Sequence, residues 1–107
     1  MSNEKLFWIW LSEALGAASR DFRKLLEFYE NPYDVFAAEE PELDRVLGLS
    51  ERAKSRLLDK DLQRASEILE VCQRQEIGIL TYTDSAYPNT LKEINDPPML
   101  FYYRGTL

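Results

Sequence analysis

The chain has 107 residues, 45% hydrophobic and 30% charged, with a formal net charge of −6, which is enough for one substantial core and no more. That acidic balance disfavours unselective attraction to a nucleic-acid backbone, and the lack of histidine removes the commonest general base and transition-metal ligand. The apolar run LFWIWL (6–11) is far shorter than a membrane span and, with Glu4 ahead of it and Glu13 behind, is a poor secretory signal, so the cytoplasm is the expected location.

Residues 5 to 76 read as helices. KLFWIWLSEALG (5–16) is too dense in apolar residues for a single stripe, which predicts a helix buried around most of its circumference and ended near Gly16. Ser19 stands where an N-cap belongs, ahead of DFRKLLEFYE (21–30), whose Phe22, Leu25, Leu26 and Tyr29 share one helical face. Asn31-Pro32 is a cap followed by a first-turn proline and opens a short helix with Val35 and Phe36 inward. Glu40-Pro41 repeats the device for PELDRVLG, which stops at Gly48, and the acids Glu39, Glu40 and Glu42 there suit a helix N-terminus. Ser50 can cap SERAKSRLL. A longer helix follows in LQRASEILEVCQRQE (62–76), with Leu62, Ala65, Ile68, Leu69 and Cys72 on one side and Gly78 closing it. The aromatics Phe7, Trp8, Trp10, Phe22, Phe28, Tyr29 and Phe36 sit at core-like spacing, and the lone cysteine, Cys72, reads as a packed apolar residue.

The pattern changes at Gly78. ILTYT (79–83) reads as a strand, Asp84-Ser85 as a turn, Pro88 as the start of a brief helix through Ile94, NDPP as a stop and MLFYY (99–103) as a second strand. Strand, short helix, strand predicts parallel neighbours. Parallel sheets are buried on both faces and have more than two strands, so residues 78–107 are expected to begin an α/β domain that continues beyond this chain, after a helical domain at 1–77. A two-stranded ribbon docked on the helices is the alternative. Among Tyr82, Tyr87, Tyr102 and Tyr103, one or two are expected between the helices and the sheet.

Only one helical stretch has a pattern with chemical content. In LDRVLGLSERAKSRLL (43–58), Leu43, Val46, Gly48, Leu57 and Leu58 fall at the apolar and first-glycine positions of a helix-hairpin-helix, which presents free amides at the second helix's N-terminus to a phosphate. Ser50 stands where the second glycine would be, and Lys54 where a small residue packs the helices, with Ala53 one place early; a side chain at 50 crowds the backbone approach. Between 45 and 64, six basic residues face three acidic ones, in a chain that is otherwise acidic. Arg45, Gly48, Ser50, Arg52, Lys54 and Arg56 are therefore the candidate DNA contacts, the competing reading being a solvated helix face on which Arg56, Asp59, Lys60 and Arg64 are simply exposed. Asp84 and Asp96 read as turn and cap residues rather than an acid and base pair. No phosphate-loop, dinucleotide, serine-hydrolase or zinc-protease motif occurs, so no catalytic residue, cofactor or metal is expected, and the chain is not expected to be an enzyme.

A strand followed by D-x-x-YP-x-x-L and a PP-x-L-x-x-x-x-G tail, here Asp84, Tyr87, Pro88, Leu91, Pro97, Pro98, Leu100 and Gly105, resembles the entry to the DprA/Smf family of DNA-processing proteins. The helical region, with its central LGLSERA hairpin, is similar to the SAM-like or helix-hairpin-helix-like domain that precedes this segment in the family. The resemblance implies a protein of natural transformation, or competence, that binds single-stranded DNA and helps load the RecA recombinase. It also implies that this work belongs chiefly to a Rossmann-like domain beyond Leu107, with Asp84, Tyr87, Pro88, Leu91, Pro98 and Gly105 structural here. The helical module is then an accessory to DNA handling, or alternatively a protein-interaction module with no DNA contact of its own; these 107 residues alone are expected to be monomeric.

Overall fold

Every helix in the first 75 residues packs on, or is linked through its neighbours to, one apolar rod, the N-terminal helix α1 (Glu4–Leu15). In this computed structural model, which describes residues 4–16, 20–93 and 97–105, Trp8 to Ser12 are all buried, as expected for a sequence without a polar face there. Gly16 ends the helix at φ +94, a conformation that glycine adopts without steric cost. The expected cap at Ser19 lies outside the described residues, as do Ile94 and Asp96.

The next four helices are short: α2 (Arg20–Leu26), α3 (Pro32–Ala37), α4 (Glu40–Leu43) and α5 (Glu51–Leu57). Helix α2 stops three residues before its apolar pattern does. Phe28, expected in the core, is 48% exposed and lies tilted at 5.3 Å against Tyr29, whose hydroxyl donates to Glu42 at 2.9 Å. Asn31 accepts from the Asp34 amide at 3.0 Å and Pro32 opens α3, so that cap is as its residues dictate. Phe36 and Trp10 meet edge to face at 5.1 Å, and Lys60 lies 5.5 Å from both rings while donating to the Ala38 carbonyl at 3.0 Å. Lys60 is thus a half-buried clamp on aromatic faces, not a member of a solvated stripe, and burial lowers its pKa.

Helix α6 (Gln63–Arg74) lies along α1 and turns Ala65 and Cys72 into the core. It ends earlier than expected. Gln75 is the C-cap and Glu76 adopts φ +54, so the reversal expected at Gly78 is made two residues before it by a residue with a side chain. Gly78 instead belongs to β1 (Ile77–Thr81), where a Cβ would fall inside the ring of Tyr103. Its function is to let that ring lie on the sheet.

Strands β1 and β2 (Leu100–Arg104) pair antiparallel, with Ile79 opposite Tyr102 and Thr81 opposite Leu100. The expected parallel crossover is therefore overturned, and both strands are displaced from their predicted positions at 79–83 and 99–103. The cause is the connection. Asp84 accepts from the Thr81 amide at 2.8 Å and turns the chain at once, Tyr82 N donates to Met99 O at 2.9 Å, and among the described residues the helix between them is α7 (Asn89–Lys92), a single turn with no buried residue. A loop whose two ends touch returns the chain where it left, so the strands must run in opposite directions. The resulting ribbon packs on α1 and α6, and Tyr82 stacks edge to face on Phe22 at 5.1 Å, one of the tyrosines expected between helices and sheet. The described architecture is mainly helical with a small two-stranded antiparallel sheet.

Candidate functional site at the α4–α5 turn

Helix α4 covers only part of PELDRVLG; turns carry the chain from Asp44 to Gly48, where φ is +78. Lys24 of α2 donates to the Gly48 carbonyl at 2.5 Å, and its chain lies so close that a Cβ at 48 would meet Cε at 3.2 Å. Val46 and Leu49 turn inward while Leu47 between them is 90% exposed.

Ser50 caps α5 as its side chain allows: Oγ accepts from the Ala53 amide at 3.1 Å. The same hydroxyl donates to Asp21 at 3.1 Å, and the Ser50 amide donates to the other Asp21 oxygen at 3.4 Å. The amide that a hairpin of this type would offer to a phosphate is thus directed at a carboxylate of the protein's own α2. Where a second glycine would leave room for an anion, the serine has drawn one in from within the fold.

The candidate cations fall into three groups. Lys54 reaches Asp44 at 2.8 Å and Glu51 at 2.9 Å, and these hydrogen bonds raise its pKa above the ordinary lysine range. Arg45 is exposed beside the turn. Arg52 and Arg56, one helical turn apart, line a cleft of about 320 Å³ together with Glu13, Ala14, Leu15, Gly16, Asp21, Ser50 and Ala53, and neither has a hydrogen-bond or ion-pair partner among the described residues. Glu13, on the opposite wall, pairs with Arg64 at 2.6 Å, and this hydrogen bond holds the guanidinium's pKa up. The structure therefore gathers Ser50, Arg52 and Arg56 at one cleft, ties up Lys54 and Gly48, and leaves Arg45 apart. Asp21 and Glu13 were not singled out by sequence because both lie far along the chain in helices read only for their apolar faces.

The tail motif forms a second constellation. Tyr87 donates through its amide to Asp84 O at 3.1 Å and through its hydroxyl to Pro98 O at 2.7 Å, while Asp84 holds Thr81. Tyr87 is buried, its ring lies 5.7 Å from Phe101, and burial raises its pKa. Pro88 stands at the N-cap of α7 with extended ψ rather than within its first turn, Leu91 is half-buried, and Gly105 has φ +88 after β2. Among the described residues no group of three or more cysteine, aspartate or glutamate side chains is placed to hold a metal ion, and no helix is long and apolar enough to cross a membrane.

No family model matches the chain, and no solved structure matches it. Among curated proteins it is similar to "Protein Smf" of Synechocystis sp., at 25% identity over 107 residues. That alignment takes in 99% of this chain and 27% of the relative's length.

Proposed function

We propose that the chain is the N-terminal region of a DprA-like protein of natural transformation that binds single-stranded DNA and assists RecA loading, its helical part being accessory to that work. The observation that carries this reading is the similarity to "Protein Smf" over nearly the whole chain, together with the D-x-x-YP-x-x-L and PP-x-L-x-x-x-x-G residues. On this reading residues 1–77 are a SAM-like, helix-hairpin-helix-like domain and 78–107 open a Rossmann-like domain, to which the β1–β2 ribbon would contribute its first strands. The principal DNA site then lies outside these residues, no catalytic step belongs to them, and the fragment is a cytoplasmic monomer.

A second reading gives the helical module a protein partner and no DNA contact. It is favoured by the Asp21 carboxylate at Ser50, which stands where a hairpin would receive a phosphate, and by the neutralisation of Lys54. Fluorescence anisotropy with a labelled single-stranded oligonucleotide separates the two. If the hairpin is a DNA contact, binding is steeply salt-dependent and the combined reversal Arg52→Glu, Lys54→Glu, Arg56→Glu abolishes it. Absence of binding at low salt would end the accessory-DNA reading for this module and leave the partner reading.

A further inference from the structure

Among the described residues, Arg45, Arg52 and Arg56 are the cations around the α4–α5 turn without an internal partner, and of these only Arg52 and Arg56 border the cleft. On the walls of the 320 Å³ cleft, Glu13 is held by Arg64 and Asp21 by Ser50, whereas Arg52 and Arg56 line the concavity with no counter-charge bonded to either among the described residues. The third cation of the same helix, Lys54, is turned away and saturated by Asp44 and Glu51. We propose that the cleft between α1 and α5 is a docking site for an acidic peptide segment of a protein partner, bound through paired carboxylate contacts to Arg52 and Arg56.

The chemistry of the walls selects this occupant. Guanidinium groups recognise carboxylates and phosphates bidentately, so the arginines alone would accept either a peptide or a nucleic acid. A nucleic-acid strand would bring a phosphate at every residue past Glu13 and Asp21, and it would find no aromatic platform, since the lining between the charges is Ala14, Leu15, Gly16 and Ala53. An extended peptide places alternate side chains about 6–7 Å apart, close to the separation of about 6 Å between residues one turn apart on a helix. Two acids at alternate positions would meet Arg52 and Arg56, while the intervening neutral backbone passes the acidic walls without repulsion. Because both guanidiniums remain accessible to water, binding weakens as salt is added.

The proposal rests on the protein-partner reading above. Its test is an amide NMR titration of the isotope-labelled chain with hexaglutamate, and in parallel with a short oligothymidine. Hexaglutamate is expected to shift residues 13–16 and 50–56 saturably, the combined change Arg52→Gln, Arg56→Gln to weaken it by about tenfold or more, and Arg45→Gln to leave it unchanged. Lack of saturable shifts, shifts spread evenly over other exposed arginines such as Arg20 and Arg74, or indifference to the double change would each overturn the proposal. If oligothymidine is also silent in that case, the partner reading survives without this site. Tighter binding of oligothymidine than of hexaglutamate at the same residues would sink both.

Discussion

Tyr87 shows how one side chain can carry a sequence signature without carrying chemistry. Its hydroxyl closes the loop between the strands by donating to Pro98 O at 2.7 Å, and its ring joins Tyr82 and Phe101. Replacing it with phenylalanine keeps the ring and leaves the Pro98 carbonyl without its donor, so Tyr87→Phe should cost about 1 kcal/mol in urea unfolding. Tyr29 makes a pH-dependent contribution. Burial, and then the hydrogen bond to Glu42, raise its pKa well above the usual 10.0. Above pH 10 the unfolded chain releases a proton that the folded chain keeps, so folding stability is fully present below that point and falls as pH rises through the folded pKa. Tyr29→Phe should flatten that alkaline decline in the melting temperature.

The helices were the most legible elements, because their signals are local. Asn31-Pro32, Ser50 and Gly16 act within three or four residues of themselves, and each does in the fold what its chemistry predicts. The strands were less legible. Their existence followed from β-branched and aromatic residues, but their relative direction depended on whether 82–99 could lie across a sheet as a helix, and Asp84, Tyr82 and Tyr87 instead close it into a loop. Gly78 misled for a related reason: the need for a residue without a side chain came from Tyr103, which is distant in sequence. At the candidate site the arginines were visible, whereas the occupant of the hairpin, Asp21, came from another helix. The Ser50 cap yields a graded prediction: Ser50→Ala should destabilise by about 1 kcal/mol and Ser50→Gly by only a few tenths in thermal melts, since glycine tolerates the cap backbone.

Taken as one body, the molecule has unequal anchoring. Helix α1 touches α3, α5, α6 and both strands, whereas β2 depends mainly on β1 and leaves Tyr102 47% exposed beside a groove formed with Ile68, Val71 and Ile77. Sub-global opening is therefore expected to begin at the ribbon. Hydrogen exchange under increasing urea should expose the amides of 100–104 before those of 8–12; simultaneous loss would mean that ribbon and helices form one cooperative unit.

Both tryptophans lie in α1, with Trp8 1% and Trp10 4% exposed, and the ribbon has none. Intrinsic emission excited in the indoles consequently reports chiefly on the helical core. A spectrum that stays at short wavelength while tyrosine absorbance changes would be the optical signature of residues 97–105 lifting away from a folded helical body.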